Sequence, residues 1–323
     1  MSGTASDPRS ERLLLEPEEI LARQAYEIPR VRLPARGSLF AGRAARLRRL
    51  AQGHTLADYL GFVAAVAEAQ QACLLALSDP PLPPAEKQEQ NREFGMPVLN
   101  ALTLHRDPVW RAILRDLLAR LVQLDLPAEL KATLERFAGQ SDDYFEAQAS
   151  KLLASNLQGL NVAVAPLLAA ALQVYWVAMA TALGEEAFPQ LPIPNVCPCC
   201  GTRPTASVAR IGAAEAGYRY LHCALCATEW HMVRVKCANC ESTKDIYYQS
   251  IDDGRPGREH AIKAECCDAC NTYLKVLYME RDAEMEACAD DLASITLDVL
   301  VSETGRPGSG VNYMLVQGNS GTP

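Results

Sequence analysis

Apolar residues in the first 190 positions recur at helical spacing. Leu56–Leu77 (LADYLGFVAAVAEAQQACLLAL) and Trp110–Leu124 (WRAILRDLLARLVQL) carry them every three to four residues, with polar positions between. Asp107-Pro108 suits the start of the second helix, because proline is tolerated in a first turn. Further helices are expected over Pro127–Phe137 and Ser141–Ala154. The latter opens SDDYFE, with acids where a helix dipole favours them. Ser78–Glu86 (SDPPLPPAE) reads as a proline-rich connector, and Arg43–Arg49 (RAARLRR) as a solvated helix face. After Pro189–Pro194 (PQLPIP) the helical period is lost. Short β-prone runs replace it: Thr205–Ile211, Tyr218–His222, Glu229–Lys236, Asp245–Ile251, Ala261–Glu265 and Thr272–Glu280, punctuated by glycines as hairpins require. An acidic helix over Arg281–Leu300 and a mobile Gly/Ser-rich end complete the pattern.

One segment, 162–183 (VAVAPLLAAALQVYWVAMATAL), is long and apolar enough to span a bilayer. Eight of its 22 residues are alanine, Pro166 and Gln173 lie inside it, and Glu185-Glu186 follow with no flanking Lys or Arg. These features predict the central buried helix of a helical domain, without stable membrane insertion. The fold class expected is therefore α+β and multidomain. Residues 1–189 form an all-helical domain, 190–281 two tandem four-cysteine modules of short antiparallel hairpins, rubredoxin-like or zinc-ribbon in type, and 282–323 an acidic helix with a mobile tail.

Composition sharpens this picture. The 323 residues are 49% hydrophobic but only 6% aromatic, so the core relies on Leu, Ala and Val. Net charge is -8, which argues against a protein that grips phosphate mainly by charge. The charge is uneven: the three segments carry -3, +1 and -6. Eleven of twelve cysteines lie after residue 196. The N-terminus shows no secretory signal, so metal ligation is favoured over a disulfide framework.

The cysteines form four CxxC pairs: Cys197/Cys200, Cys223/Cys226, Cys237/Cys240 and Cys267/Cys270. A tight CxxC turn lets two thiolates converge on one metal while backbone N–H groups point at the sulfurs, and Gly201 can supply positive φ after the first pair. Two such turns make a tetrahedral four-thiolate site. The intervals decide the pairing. Cys200 to Cys223 leaves 22 residues and Cys240 to Cys267 leaves 26, each enough for a returning hairpin. Cys226 to Cys237 leaves 10, mostly β-prone, which extended would span roughly 33 Å and hold two sites apart. Site one is thus expected from Cys197, Cys200, Cys223 and Cys226, and site two from Cys237, Cys240, Cys267 and Cys270, with a cross-braced pairing as the alternative. Each would hold one ion, iron or zinc, since an all-thiolate tetrahedron suits either. Such closed sites are more often structural than catalytic. No HExxH, P-loop, GxSxG or GxGxxG occurs. Cys199, Cys266, Cys288 and Cys73 remain as extras, and His222 and His231 are expected beside the sites rather than as ligands.

The runs CPCCG at 197–201, YRYLHCALCATEWHMVRVKCANCE at 218–241 and AIKAECCDACNTYLKVLY at 261–278 closely resemble the formate dehydrogenase accessory (maturation) family, FdhE. The resemblance is dense from 197 to about 280 and looser in the helical half. It carries over the same eight cysteines as metal ligands. It implies a cytoplasmic, non-enzymatic maturation factor with rubredoxin-like sites. Such a factor contacts the catalytic subunit of a molybdenum- or tungsten-containing respiratory formate dehydrogenase before export. Trp230, Tyr247 and Tyr248 are candidate exposed contacts, set against the favoured alternative that they are strand residues packing the small ribbons. A rubredoxin-like electron carrier and a zinc-ribbon nucleic-acid binder are the alternatives; a near-neutral cysteine-rich part speaks against the latter, so no nucleic-acid partner is expected.

Overall fold

The computed structural model describes residues 28–188, 191, 193–211, 217–251 and 260–315. Of the expected linker, Pro189, Gln190 and Pro192 lie outside these residues, as do 1–27 and 316–323. The helical layer comprises α1 (Leu39–Ala51), α2 (Ala57–Ala76), α3 (Ala85–Glu93), α4 (Val109–Val122), α5 (Ala128–Ala138), α6 (Asp142–Leu153) and α7 (Ala165–Leu183). Five of these, α2 and α4 to α7, lie where the sequence placed them. α6 starts as its sequence dictates: Ser141 Oγ accepts the Tyr144 N–H at 3.2 Å, and Asp142 and Asp143 follow in the first turn. α2 and α7 have span-like mean hydropathies of 1.3 and 1.6, yet 56% and 78% of those windows are buried inside the protein. α7 is the hub of the helical core, with Tyr175 and Trp176 almost fully enclosed.

Two helices depart from the sequence expectation. α3 forms from the end of the connector, because Pro84 ends the proline run and AEKQEQNRE has high intrinsic helix propensity. α1 carries the basic run, but Arg43 and Arg46 are 3% and 4% exposed rather than solvated. The cause lies at the other end of the chain. Arg46 donates to Asp290 at 2.8 Å and to Asp282 at 2.6 Å, and Arg43 donates twice to Glu286 at 3.0 Å. The -6 segment thus neutralises the buried face of α1.

Among the described residues seven strands form one sheet: β1 (Val31–Arg32), β2 (Ala206–Ala209), β3 (Arg219–His222), β4 (Glu229–His231), β5 (Ile246–Gln249), β6 (Ile262–Cys267) and β7 (Thr272–Tyr278). Their order is β1-β4-β3-β2-β7-β6-β5. All neighbours are antiparallel except β2 and β7, which run parallel from Ala206↔Lys275 to Ala209↔Tyr278. The two hairpin modules are therefore fused along a parallel seam. The run Glu229–Lys236 is not the extended spacer expected. The strand stops at His231, Met232 N–H still reaches Arg219 C=O at 2.9 Å, and a turn closes from Lys236 N–H to Val233 C=O. Val233 and Val235 are exposed.

The acidic helix is two helices, α8 (Ala287–Ala293) and α9 (Ile295–Ser302), broken at Ser294. They cover Lys275 of β7, whose ammonium meets Asp298 at 2.6 Å and Asp291 at 2.8 Å in a nearly dry site. The tail, expected to be mobile, is packed as far as Leu315. Ser309 N–H bonds Tyr273 C=O at 2.8 Å, Asn312 donates to Asp291 at 2.8 Å, and Tyr313 and Met314 are buried. Gly310 makes this approach possible: a Cβ there would stand 2.2 Å from the Pro204 carbonyl oxygen.

Two outcomes follow for stability. Arg46→Ala removes the buried ion pairs with Asp290 and Asp282 and should cost about 3–5 kcal/mol in urea unfolding. Gly310→Ala should cost about 1–3 kcal/mol through overpacking and expose the chain after Glu303 to limited proteolysis. An unchanged cleavage pattern would show that the tail does not depend on that contact.

Candidate metal centres

Three of the four CxxC pairs close the same small turn. Gly201 N–H bonds Cys197 C=O at 2.8 Å, Ala227 N–H bonds Cys223 C=O at 2.9 Å, and Glu241 N–H bonds Cys237 C=O at 3.0 Å. The first cysteine then pairs with the residue two beyond the second. Cys197, Cys223 and Cys237 donate to the carbonyls of Thr202, Thr228 and Ser242 at 2.8–3.0 Å, and Cys267 registers with Thr272 across β6 and β7. The residue after each pair is left-handed: Gly201, Ala227, Glu241 and Asn271 have φ between 53° and 77°. Only the first is glycine, so the other three hold a conformation L-residues rarely adopt, imposed by the turn.

The turns assemble in the pairing expected. Cys197, Cys200, Cys223 and Cys226 form one group, Cys237, Cys240, Cys267 and Cys270 the other, with all sulfurs in each within 4.8 Å. The close contacts cross between turns: Cys197–Cys226 is 3.5 Å, Cys200–Cys223 3.4 Å, and Cys237–Cys270 and Cys240–Cys267 are both 3.7 Å. A metal–sulfur bond of about 2.3 Å gives a tetrahedron with edges of about 3.8 Å. The donor set and its spacing therefore fit one zinc or mononuclear iron ion per group, and both groups can hold one. The pairing came about for a reason other than the stiff spacer. β2 to β4 carry the first two turns and β5 to β7 the last two, so each returning hairpin brings its own pair together.

A repeated hydroxyl residue was overlooked in the spacing argument. Every pair reads C-x-x-C-x-[T/S], ending in Thr202, Thr228, Ser242 and Thr272. Thr202 Oγ1 lies 3.2 Å from Cys200 Sγ and 3.1 Å from Cys223 Sγ; Thr228 is 3.1 Å from Cys226, and Thr272 is 3.1 Å from Cys270. Ser242 instead turns to the backbone of Lys244. Burial pushes the Cys197 and Cys200 thiols up, and although it opposes ionisation at Cys226 too, hydrogen bonds from Cys197 and its neighbours hold that thiol well below its usual range. In the second group burial pushes Cys237 up to about 12. Cys270, against its own partial burial, is drawn down to about 6 by Thr272 and Asn239.

The groups differ in setting. The first lies inside the main apolar core, docked on the helical layer. Leu99 N–H bonds Cys199 C=O at 2.8 Å, Ala101 N–H bonds Cys200 C=O at 2.9 Å, and Gln173 of α7 donates to Ala224 C=O at 2.7 Å. In the second, Cys240 is exposed and Cys270 half-buried.

The extra cysteines stay outside both groups. Cys73 packs in α2 with Asp116 3.3 Å away, and Cys266 is buried in β6. Cys288 lies 3.5 Å from His222 Nε2, with Glu229 on the ring's other side at 3.7 Å; all three are buried. His231 packs edge-on to Tyr218 and Tyr220. Trp230 is no surface contact: it is 5% exposed and donates to Pro194 C=O at 2.8 Å. Tyr248 is exposed, with its hydroxyl on Glu265 at 2.9 Å, and Tyr247 lies under Arg306.

Three family profiles match successive stretches of the chain: "FdhE, N-terminal" over residues 28–191, "FdhE, central domain" over 196–234 and "FdhE, C-terminal domain" over 235–315. A "Protein FdhE homolog" of Citrobacter koseri is 40% identical over 307 residues, 94% of this chain and 96% of that protein. A "Protein FdhE" of Salmonella typhimurium is 39% identical over 300 residues, 92% of this chain and 94% of that protein. The crystal structure of the FdhE protein from Pseudomonas aeruginosa superposes with a TM-score of 0.82 at 38% identity, over 90% of this chain and all of that one. With sequence, fold and both cysteine groups in agreement, the chain belongs to the FdhE family.

Proposed function

We propose that this protein is a non-enzymatic accessory factor for maturation of a molybdenum- or tungsten-containing formate dehydrogenase, acting in the cytoplasm on the catalytic subunit before export. Membership of the FdhE family over the whole described chain carries this reading. In it, residues 1–189 are a scaffold, 190–281 the cysteine-bearing unit and 282–323 the acidic segment that ties them together. The eight cysteines act as ligands to two ions, iron or zinc.

The chemistry of the clusters supports a role without turnover. Four thiolates fill a tetrahedral ion and leave no position for water or substrate. The ion contributes cross-linking and charge neutralisation. This chain's residues do the rest: the left-handed turns aim the sulfurs, Thr202, Thr228 and Thr272 hold them, and α7 anchors the first pair of turns. A rubredoxin-like electron carrier is the second reading, favoured by the exposure of Cys240.

Two measurements test these readings. Anaerobically purified protein should contain two metal ions per chain, and Cys237→Ser should retain one while keeping its far-ultraviolet dichroism. A reversible iron spectrum would favour the carrier, since zinc has no redox chemistry. Pull-down from anaerobic extract should recover the formate dehydrogenase catalytic subunit. Failure to do so with metal-replete protein would sink the partner assignment.

A further inference from the structure

The two clusters share turn geometry and ligand type but little else. All four sulfur-bearing residues of the first are at most 1% exposed. They belong to the same apolar core as α4 and α7, with Tyr313 of the tail packed into it. The cysteines of the second belong to neither of the two buried apolar clusters. Cys240 is open to solvent and Cys270 half so. Hydroxyl support is uneven as well. Thr202 and Thr228 touch three of the four sulfurs in the first cluster, whereas in the second Thr272 touches Cys270 alone. Ser242, which holds the matching place beside Cys240, is engaged by Lys244.

Ligand exchange at a four-thiolate ion needs a line of approach and a sulfur free to leave. The incoming donor bonds the ion as one metal–sulfur bond breaks. The departing thiolate takes a proton from water, and no electrons change hands. In the first cluster every approach is closed by protein, so exchange requires opening the core beneath α7. In the second, Cys240 is exposed, no hydroxyl among the described residues contacts its sulfur, and only its own short turn must move.

We propose that the second cluster is an exchangeable metal site, which gives up and accepts its ion through Cys240 to soluble chelating or thiol ligands, while the first retains its ion as long as the chain is folded. This rests on the reading above that both clusters hold metal.

The test uses the full-length protein loaded with zinc to two ions per chain and mixed with excess 4-(2-pyridylazo)resorcinol. Half of the zinc should appear at least about a hundredfold faster than the rest, because release from the buried cluster waits on local opening of the core. Native mass spectrometry between the phases should show a one-zinc species. N-ethylmaleimide added at that point should label Cys237, Cys240, Cys267 and Cys270 but spare Cys197, Cys200, Cys223 and Cys226. Tyr313→Ala should accelerate the slow phase only. A single phase, or labelling of the first cluster first, would overturn the proposal. A protein that takes up no zinc would instead overturn the metal reading beneath it.

Discussion

The architecture turns on three hydrogen bonds that fasten the first pair of cysteine turns to the helical layer: Leu99 to Cys199, Ala101 to Cys200, and Gln173 to Ala224. A CxxC turn exposes backbone carbonyls that, once buried, must be satisfied or carry a penalty of a few kcal/mol each. Here the segment between α3 and α4 satisfies two of them and α7 the third. Gln173 can donate to Ala224 because its own carbonyl accepts from Gln70 of α2 at 2.8 Å, which also donates to Ala170 of α7. A polar relay thus crosses an otherwise apolar core from one helix to a cysteine turn. This is why Gln173, an oddity within an apolar segment, sits where it does. It also makes the first cluster and the helical core one cooperative body.

From that docking the rest of the asymmetry follows. The first hairpin module is pinned between helices and the seam with β7, so its sulfurs have no contact with water. The second module hangs from the far side of that seam and is held by β6, β7 and the acidic helices. Buried charge does the fastening there, through Lys275 with Asp291 and Asp298, and Arg219 with Glu265 at 2.8 Å. Such pairs are weak as net stabilisers but specific in what they join. Identical local motifs thereby acquire different surroundings from the elements that carry them.

Local features were legible in the chain and distant ones were not. The CxxC turns, the six later strands and most helices declare themselves through spacing within a few residues. The pairing of turns was also readable, although the supposed stiff spacer after Glu229 ends at His231. The burial of Arg43 could not be read, because its partner Glu286 is 243 positions away. Nor could the order of the tail, since the need for Gly310 is set by the Pro204 carbonyl. The hydroxyl residue after each pair was readable and overlooked; it emerges once the four turns are aligned on their second cysteine.

The pairing of α1 with the acidic segment bears on the order in which the molecule can be completed during synthesis. Arg43 and Arg46 leave the ribosome at least 236 residues before Asp282, Glu286 and Asp290. Until they emerge, α1 presents two cations on the face it must bury, and the nascent helical layer cannot close around it at neutral charge. Both sets of cysteines are then already outside the ribosome. Closure of this face is thereby reserved for chains translated past Asp290, and a product truncated before it is left with an open, charged flank that quality-control proteases can reach.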